Sequence, residues 1–442
     1  MKKQPFFLRR FRAHFPLAVL LLTSRCMADA TFAPAAPGRI PPAPVAAATV
    51  VRAATKPAAA SGTEPSAGSY DDTLEGGLLG YRKVLTSHGI QIGGFYLNDT
   101  SWNLMGGIST RKTINRSLLD LEMKLNTDPL FGWRGGKLVA SVRFHFGPNG
   151  NNQQLGSIQG YSLIDYNPPA TQLYELYYQQ AWLHGNWKLR AGTMDANAIF
   201  DIPADAAIFV NPSSEDAPLF LQPAPAFSAP GLASIYQITP QTTIMAGIFY
   251  DGRFHPTAFD SFLNAIEPVN QPVGAFLTAE LDQNYQLASR QPGTIAIGGF
   301  FRTGHFSTLS GGTQTDAGGG YMFIDQTLWQ TTHAVHRLAA FCNMTGNDPR
   351  VSEIDASIQS GLLATGLIPG RSNDQFGLGL DWAHLSSRAQ TPEPYEMVFE
   401  AFYAFALGRG IVLQPDVQYF ANTGGGVYPN GLIAMIRVNV NF

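Results

Sequence analysis

The chain has 442 residues, of which 45% are hydrophobic and 14% charged, and its formal net charge is −3 at pH 7. This weakly acidic balance argues against a nucleic-acid-binding protein, which would carry a basic surface. Beyond the N-terminal segment no run of 18 or more apolar residues occurs, so a membrane protein of this sequence would have to cross with strands.

The first 30 residues have the three regions of a secretory signal peptide. Basic residues between Lys2 and Arg12 precede an apolar stretch at residues 15–22, and small residues lead up to Ala30. We predict cleavage near Ala30, after which the mature chain carries 23 basic and 31 acidic residues. Cys26 would leave with the signal, so Cys342 would remain alone and no internal disulfide could form.

Residues 31–69 are rich in Pro and Ala. They contain 7 Pro, 13 Ala and one aromatic residue, so they cannot assemble a packed core. The segment is predicted to be a disordered periplasmic linker. A tether that contacts peptidoglycan or another partner is the alternative role.

From residue 70 to Phe442 the sequence consists of short alternating runs separated by Gly, Pro and Asn clusters, which predicts an all-β domain. Acidic residues repeatedly lie on the face opposite the apolar one, an arrangement that suits a water-filled lumen better than a dry core. The clearest runs are residues 242–250, 294–302, 375–382, 396–405 and 411–420.

The last eleven residues, 432–442, alternate most regularly. Leu432, Ile436 and Phe442 belong to an apolar face, while Arg437 and Asn439 belong to the other face. This rhythm predicts the closing strand of a transmembrane antiparallel β-barrel in the bacterial outer membrane, although the last strand of a soluble β-sandwich would also alternate. Residues 70–442 are long enough for sixteen membrane-spanning strands with their turns. Three long inserts, residues 147–170, 201–231 and 252–291, are predicted to be extracellular or infolded loops.

Several segments resemble the carbohydrate-selective porins of the OprB family. They are residues 366–380 (GLIPGRSNDQFGLGL) and 413–419 (LQPDVQY), with upstream agreement at residues 120–136, 173–182 and 189–195. The resemblance implies a sixteen-stranded porin that admits glucose and similar sugars through the outer membrane without catalysis. No cofactor is implied. The expected partners are mono- or oligosaccharides, outer-membrane lipids, and the assembly machinery that would recognise the C-terminal strand ending at Phe442.

A sugar path needs hydrogen-bonding groups along the wall, aromatic rings for the sugar face, and binding weak enough to permit exit. The residues predicted to line a constriction are Glu175, Tyr177, Gln179, Arg190 and Asp195. An ion-pair ladder formed by Arg190, Glu175 and Asp195 is the alternative. Further lumen candidates, each of which could simply be a solvated wall residue, are Arg143, Arg302, Asp381, Glu400, Asp416, Gln418 and Arg437.

Other functions are less well supported by the sequence. No nucleophile elbow, phosphate loop or His-Glu-x-x-His motif is found. His333 and His336 would lie on opposite faces of a strand, so no metal site is predicted. A general diffusion porin without sugar preference, and a barrel that chiefly anchors the cell wall, remain as alternatives.

Overall fold

The computed structural model describes residues 81–165, 171–215, 228–251, 274–288, 291–331, 336–408 and 410–442. The predicted signal peptide, the Pro/Ala-rich segment and His333 lie outside the described residues. Within the described part, each strand pairs antiparallel with the next one along the chain, and β1 also pairs with β16, so the sheet closes into a sixteen-stranded barrel. The predicted fold class is confirmed.

The first half of the barrel follows a short helix, α1 (Tyr81–Ser87). Its strands are β1 (Ile90–Met105), β2 (Thr113–Asn126), β3 (Gly136–Phe146), β4 (Thr171–Trp182), β5 (Trp187–Met194), β6 (Ala229–Gln237), β7 (Thr242–Asp251) and β8 (Gly274–Gln286). A second helix, α2 (Thr127–Phe131), lies in the turn between β2 and β3, and a third, α3 (Pro212–Glu215), lies between β5 and β6.

The second half completes the barrel. Its strands are β9 (Pro292–Ser307), β10 (Thr313–Gln330), β11 (Arg337–Asn347), β12 (Ile354–Thr365), β13 (Gln375–Leu385), β14 (Tyr395–Gly408), β15 (Ile411–Ala421) and β16 (Gly431–Asn441). Reciprocal backbone hydrogen bonds of 3.0 Å between Gly94 and Phe442 extend the seam between β1 and β16 to the C-terminal residue.

Alternation along each strand separates the two faces of the wall. On β16, Ile433, Met435 and Arg437 are buried inside the barrel, whereas Ile436 is 40% exposed on the outside. The same parity places Glu396 and Glu400 inside and Phe399 outside on β14. The period of two therefore assigns lipid-facing and interior residues as the sequence predicted.

The connections differ between the two ends of the barrel. The longest intervals between strands, residues 147–170, 195–228 and 252–273, follow β3, β5 and β7, and the last residues of these odd-numbered strands lie at one end of the barrel. Short turns and the start of β1 lie at the other end. In outer-membrane barrels long loops are extracellular and short turns are periplasmic.

Two predicted loop boundaries need correction. The insert read as residues 252–291 contains β8, and the insert read as residues 201–231 ends inside β6, which begins at Ala229. The reason for the first error is that Thr278, Glu280 and Asp282 occupy the interior positions of β8, so the strand reads as polar. Its outward residues, such as Leu277 and Leu281, are apolar and exposed.

Aromatic side chains mark the outer surface at the short-turn end. Trp133, Trp182, Trp187 and Trp329 are all more than one third exposed, and the rings of Trp182 and Trp187 lie 4.8 Å apart. An aromatic girdle at a membrane interface has this character. In the described part of the chain, no helix has the length and apolar character needed to cross a membrane.

Candidate functional site

Two long loops enter the barrel and fill much of its interior. In the β3–β4 loop, Leu155 and Tyr161 are fully buried against interior residues such as Phe420 and Ile433. In the β5–β6 loop, the ring of Phe209 meets those of Phe341 and Phe402 edge-on at 5.2 and 5.0 Å. Both loops therefore narrow the bore by packing apolar side chains against the wall.

Glycines on the wall make room for this packing. A Cβ atom on Gly361 or Gly379 would lie 2.8 or 2.9 Å from the Phe209 ring, closer than real Cβ atoms approach. A Cβ on Gly377 would similarly lie 2.2 Å from Phe402. On the interior face of residues 377–380, Gly377 and Gly379 therefore leave a slot that holds the rings of Phe402 and Phe209.

The two loops also hold each other. The backbone N–H of Leu163 donates to the carbonyl of Val210 at 3.2 Å. Gln418 on β15 joins both loops, because its Nε2 donates to the Tyr161 carbonyl at 3.0 Å and its Oε1 accepts from Asn211 Nδ2 at 3.1 Å. The constriction is therefore one packed unit.

Carboxylates on β13 and β14 anchor this unit to the wall. Glu400 accepts the N–H groups of Val210 and Asn211 at 2.6 and 3.0 Å. Asp381 accepts the Ser214 hydroxyl at 2.8 and 2.9 Å with its two oxygens. These carboxyl groups are buried, so loop donors rather than water supply their hydrogen bonds.

Glu396 performs the same task for the β3–β4 loop. It accepts the Ser157 hydroxyl at 2.6 Å and the N–H groups of Ile158 and Gln159 at 3.2 and 3.0 Å. It also accepts the N–H of Gly424, from the β15–β16 loop, at 2.6 Å. One buried carboxylate thereby ties two loops to β14.

The β5–β6 loop is held on the opposite wall by acidic residues of β8 and β10. Glu280 accepts the N–H of Asp201 at 2.6 Å, and Asp325 accepts the N–H of Asp205 at 2.8 Å. Arg337 Nη2 contacts Asp205 at 2.6 Å. Burial raises the pKa of Asp201 to about 7, and the hydrogen bond from Asn343 acts in the opposite direction.

Buried ion pairs join β1 to β16, β2 to β3, and β2 to the β3–β4 loop. Arg437 forms two hydrogen bonds of 2.8 Å to Asp99, and Arg116 contacts Asp165 of the β3–β4 loop at 2.7 Å. Arg143 pairs with Asp120 at 2.5 Å. All are nearly completely buried.

Arg143 also connects to the start of the β5–β6 loop. Its guanidinium lies 3.4 Å from the centroid of the Tyr174 ring, and the Tyr174 hydroxyl donates to Asp195. The N–H of Asp195 in turn donates to Glu175 at 3.4 Å. This chain of contacts positions the residues where β5 leaves the wall.

Arg190 lies on the neighbouring part of the same wall. Its Nε donates to Gln179 Oε1 at 2.9 Å, and its guanidinium lies 5.3 Å from the Tyr177 ring centroid. Tyr177 and Gln179 are 8% and 6% exposed, whereas Arg190 remains partly exposed. The guanidinium of Arg190 therefore covers Tyr177 and Gln179, and its opposite edge faces the bore.

The comparisons with known proteins agree with this architecture. A family model of the carbohydrate-selective porins of the OprB family matches residues 110–442. The chain belongs to this family. It is an outer-membrane, carbohydrate-selective porin, which confirms the family and function predicted from the sequence.

Solved porins share the fold at low sequence identity. The high-pH structure of Pseudomonas putida OprB matches with a TM-score of 0.76 at 17% identity, covering 84% of this chain and 98% of that chain. Its low-pH structure gives 0.57 at 15% identity with the same coverage. Salmonella typhi OmpF in complex with daunomycin gives 0.52 at 10% identity, covering 80% and 98%. A search of curated proteins found no match.

The five predicted constriction residues of this porin occupy one wall but form two groups. Glu175 and Asp195 belong to the Arg143 network, while Tyr177, Gln179 and Arg190 form the second group. The alternative ion-pair ladder is not found among these described residues. Arg190 donates to the Gln179 amide, Asp195 accepts from the Tyr174 hydroxyl, and Glu175 accepts the backbone N–H of Asp195.

The further lumen candidates all lie on the interior face, where they are buried rather than solvated. None is more than 5% exposed, because infolded loops or ion-pair partners cover each one; they are Arg143, Arg302, Asp381, Glu400, Asp416, Gln418 and Arg437. Arg302 donates to Asp251 at 2.7 Å, and Asp416 accepts from Gln418 at 2.9 Å. In the structure these residues keep the barrel wall and the infolded loops in place through hydrogen bonds and ion pairs.

Sequence reasoning missed several residues that build the constriction. Glu396 shares the interior face of its run with Glu400, so the alternation could have identified it. Glu280 was not identified because its strand, β8, was interpreted as part of a loop. Asp201 and Asp205 lie in a loop with no periodicity, and no local signal marks their partners on distant strands.

Proposed function

We propose that glucose-like sugars diffuse passively through this porin along the interior wall formed by β2–β5, where Arg190 is the main sugar contact. The observation that carries this proposal is the contrast in exposure. Most interior polar groups are sealed under the infolded loops, whereas Arg190 and Glu175 stay partly exposed on one wall.

Arg190 suits a weak sugar contact. A guanidinium has five N–H donors in a planar fork, and Nε is the one that donates to a protein group among the described residues. Neighbouring hydroxyls of a sugar can accept from the outer edge of the fork. Tyr177 supports the guanidinium from behind and is too buried to stack on a sugar itself.

Glu175 would supply the complementary acceptor. It lies four residues from Gln179 on the interior side of β4, and among the described residues its carboxylate accepts one long hydrogen bond, from the backbone N–H of Asp195 at 3.4 Å. A donor and an acceptor separated along the wall allow successive weak contacts, which is what conduction requires.

The test is a current recording from the purified protein in a planar bilayer, titrated with glucose and with a disaccharide. Saturable block of the open current by glucose is expected. Block that rises linearly with every solute, without saturation, would instead favour a general diffusion porin. A barrel without measurable pores would favour the anchoring role.

The same proposal covers the properties that accompany transport. The chain acts without catalysis and is exported with removal of its signal near Ala30. Its C-terminal strand, ending at Phe442, is recognised by the outer-membrane assembly machinery, and residues 31–69 form a periplasmic linker, for which contact with peptidoglycan is the alternative role. Deleting residues 31–69 should leave sugar permeability intact, and an altered envelope with normal permeability would identify the tether role.

A further inference from the structure

The infolded loops cover only part of the interior wall. On β16, the interior residues Ile433, Met435 and Arg437 are 0%, 2% and 3% exposed, whereas the next interior residues, Asn439 and Asn441, are partly exposed. The covered part of this strand therefore ends, and the open bore begins, between Arg437 and Asn439. This border faces the short turns, because β16 runs from the long-loop end toward the short-turn end.

The same border crosses the strands on both sides of β16. On β1, Leu97 is fully buried and Phe95 is partly exposed. The strand register pairs Phe95 with Asn441 across the seam, and it pairs Val412 of β15, which is also partly exposed, with Asn439. Paired residues of neighbouring strands present their side chains on the same face. The two amides are therefore flanked by an aromatic ring on one side and by an aliphatic side chain on the other.

Both amides present polar groups to the bore. Among the described residues, neither the side chain of Asn439 nor that of Asn441 forms a hydrogen bond. Oδ1 of Asn439 is covered by neighbouring atoms, so this residue presents its Nδ2 donor, whereas Asn441 presents both its donor and its acceptor. The two residues are two positions apart on one strand, which separates them by about 6.5 Å. One pyranose ring with its hydroxyls can bridge this separation.

The composition of this place suits a carbohydrate. Binding sites for small molecules are mainly apolar surfaces with a few placed polar groups. A sugar needs both, because its ring has C–H groups on the faces and hydroxyls along the edge. The inner part of the Phe95 ring packs against the cluster that contains Leu118 and Ile164, so the exposed part is held in place. Phe95, Asn439 and Asn441 carry no charge, so they select by shape and hydrogen bonding.

We propose that Phe95, Asn439 and Asn441 form a second sugar contact, the seam subsite, which binds an uncharged pyranose. The sugar's C–H groups lie against Phe95, and its hydroxyls bond to the two amides. This inference rests on the proposed passage of sugars and adds a contact on β1 and β16 to the one at Arg190. On β5 the interior residue Met194 is buried and Arg190 is partly exposed, so both contacts lie where the infolded loops end. Successive weak contacts of this kind allow conduction.

The first measurement is block of the single-channel current by glucose. It compares the wild type with Asn439→Leu/Asn441→Leu, because leucine has nearly the shape of asparagine but no hydrogen-bonding groups. The glucose concentration that gives half-maximal block should rise roughly 5- to 10-fold, since one neutral hydrogen bond contributes a factor of roughly 2 to 10 in binding.

Two further variants support this comparison. Gln375→Met is the matched control, because it replaces another partly exposed interior amide, on β13, by an apolar side chain of similar length. Its half-blocking concentration should equal that of the wild type. Asn439→Ser/Asn441→Ser shortens both amides while it keeps the wall polar. It should weaken block as the leucine variant does, so the test does not depend on how well the leucine variant folds.

The second measurement shows whether the amides hold sugar hydroxyls. A series of monodeoxy glucoses replaces glucose in the same recordings. In the wild type, at least one analogue should block less tightly than glucose, because it lacks a hydroxyl that an amide binds. In Asn439→Leu/Asn441→Leu that analogue and glucose should block equally, because both changes remove the same hydrogen bond.

The outcomes separate the seam subsite from the proposed function. If both seam variants are blocked by glucose as tightly as Gln375→Met, or if they keep the wild-type differences among the analogues, the seam subsite is wrong. Saturable block of the wild type that weakens in Arg190→Ala would then still support the proposed path. If glucose gives no saturable block of the wild type, both proposals are wrong.

Discussion

The carboxylate of Glu396 accepts the hydroxyl of Ser157 at 2.6 Å, joining the barrel wall to an infolded loop across 239 positions of sequence. The same group accepts three backbone N–H groups. We expect Glu396→Gln to weaken docking of the β3–β4 loop by about 3 kcal/mol, because hydrogen bonds to a charged acceptor contribute about 1.5–3 kcal/mol each. A loosened loop widens the bore.

Single-channel conductance measures this effect. It should rise and become noisier in Glu396→Gln, with the barrel still folded. Glu393→Gln is the matched control, because Glu393 is exposed on the adjacent β13–β14 loop. Equal conductance in the two variants would contradict the anchoring role of Glu396.

The second prediction concerns the slot for Phe209. Gly379→Ala should displace the β5–β6 loop, because the new Cβ would lie 2.9 Å from the Phe209 ring. Overpacking of this kind destabilises by about 1–3 kcal/mol. Conductance and protease sensitivity of the loop should increase. Gly346→Ala on β11 should change neither, since its Cβ would have no neighbour closer than 4.0 Å; an intact loop in Gly379→Ala would refute the slot.

The third prediction tests Arg190 itself. Arg190→Ala should raise conductance or relax the preference among sugars without loss of folding, because the side chain projects from the wall into the bore. Liposome swelling with glucose and with a disaccharide measures both effects. Arg111→Ala, on an exposed loop, serves as control. Swelling rates that match wild type for both sugars would remove Arg190 from the sugar path.

The sequence predicted the barrel well because strand alternation is a local property. Interior and lipid-facing residues of β14 and β16 follow directly from parity, and the ambiguity of β8 arises only because its interior positions are so polar. The constriction is different. Glu400 and Val210 are 190 positions apart, and the Phe209 slot needs glycines from two strands. Nothing local in the sequence of either loop shows that the loop turns inward or which wall residues it contacts.

The fourth prediction concerns pH. Burial raises the pKa of Asp201 from its ordinary value of 3.8 to about 7. The folded protein therefore favours the neutral carboxyl, whose contribution to stability is complete below about pH 4 and is lost as the pH rises through about 7. Docking of the β5–β6 loop should weaken as the pH rises from about 4 to about 7 and change little above that.

Hydrogen exchange of the loop amides, corrected for intrinsic rates, measures this weakening. Asp201→Asn keeps the acceptor for Asn343 but cannot ionise, so it should remove the pH dependence. Glu280, Asp282 and Tyr321 face the same site from β8 and β10 and remain present in the variant. Unchanged pH dependence in Asp201→Asn would assign the effect to those groups instead.

The fifth prediction concerns the seam where the first and last strands meet. Asp99 and Arg437 are directly paired across β1 and β16, and their side chains are 0% and 4% exposed. Asp99→Asn should lower the free energy of unfolding by about 3–5 kcal/mol, because it removes the charged partner of a buried ion pair that accepts two hydrogen bonds from Arg437. Asp99→Asn/Arg437→Met should lose less than the sum of the single changes, because both changes remove the same interaction. Urea unfolding in lipid vesicles gives these energies. The control is Arg350→Gln, because this side chain is 53% exposed in its ion pair with Asp348 and its loss should change stability by about 0–1 kcal/mol. Strict additivity of the two seam changes would show that the pair does not close the barrel cooperatively.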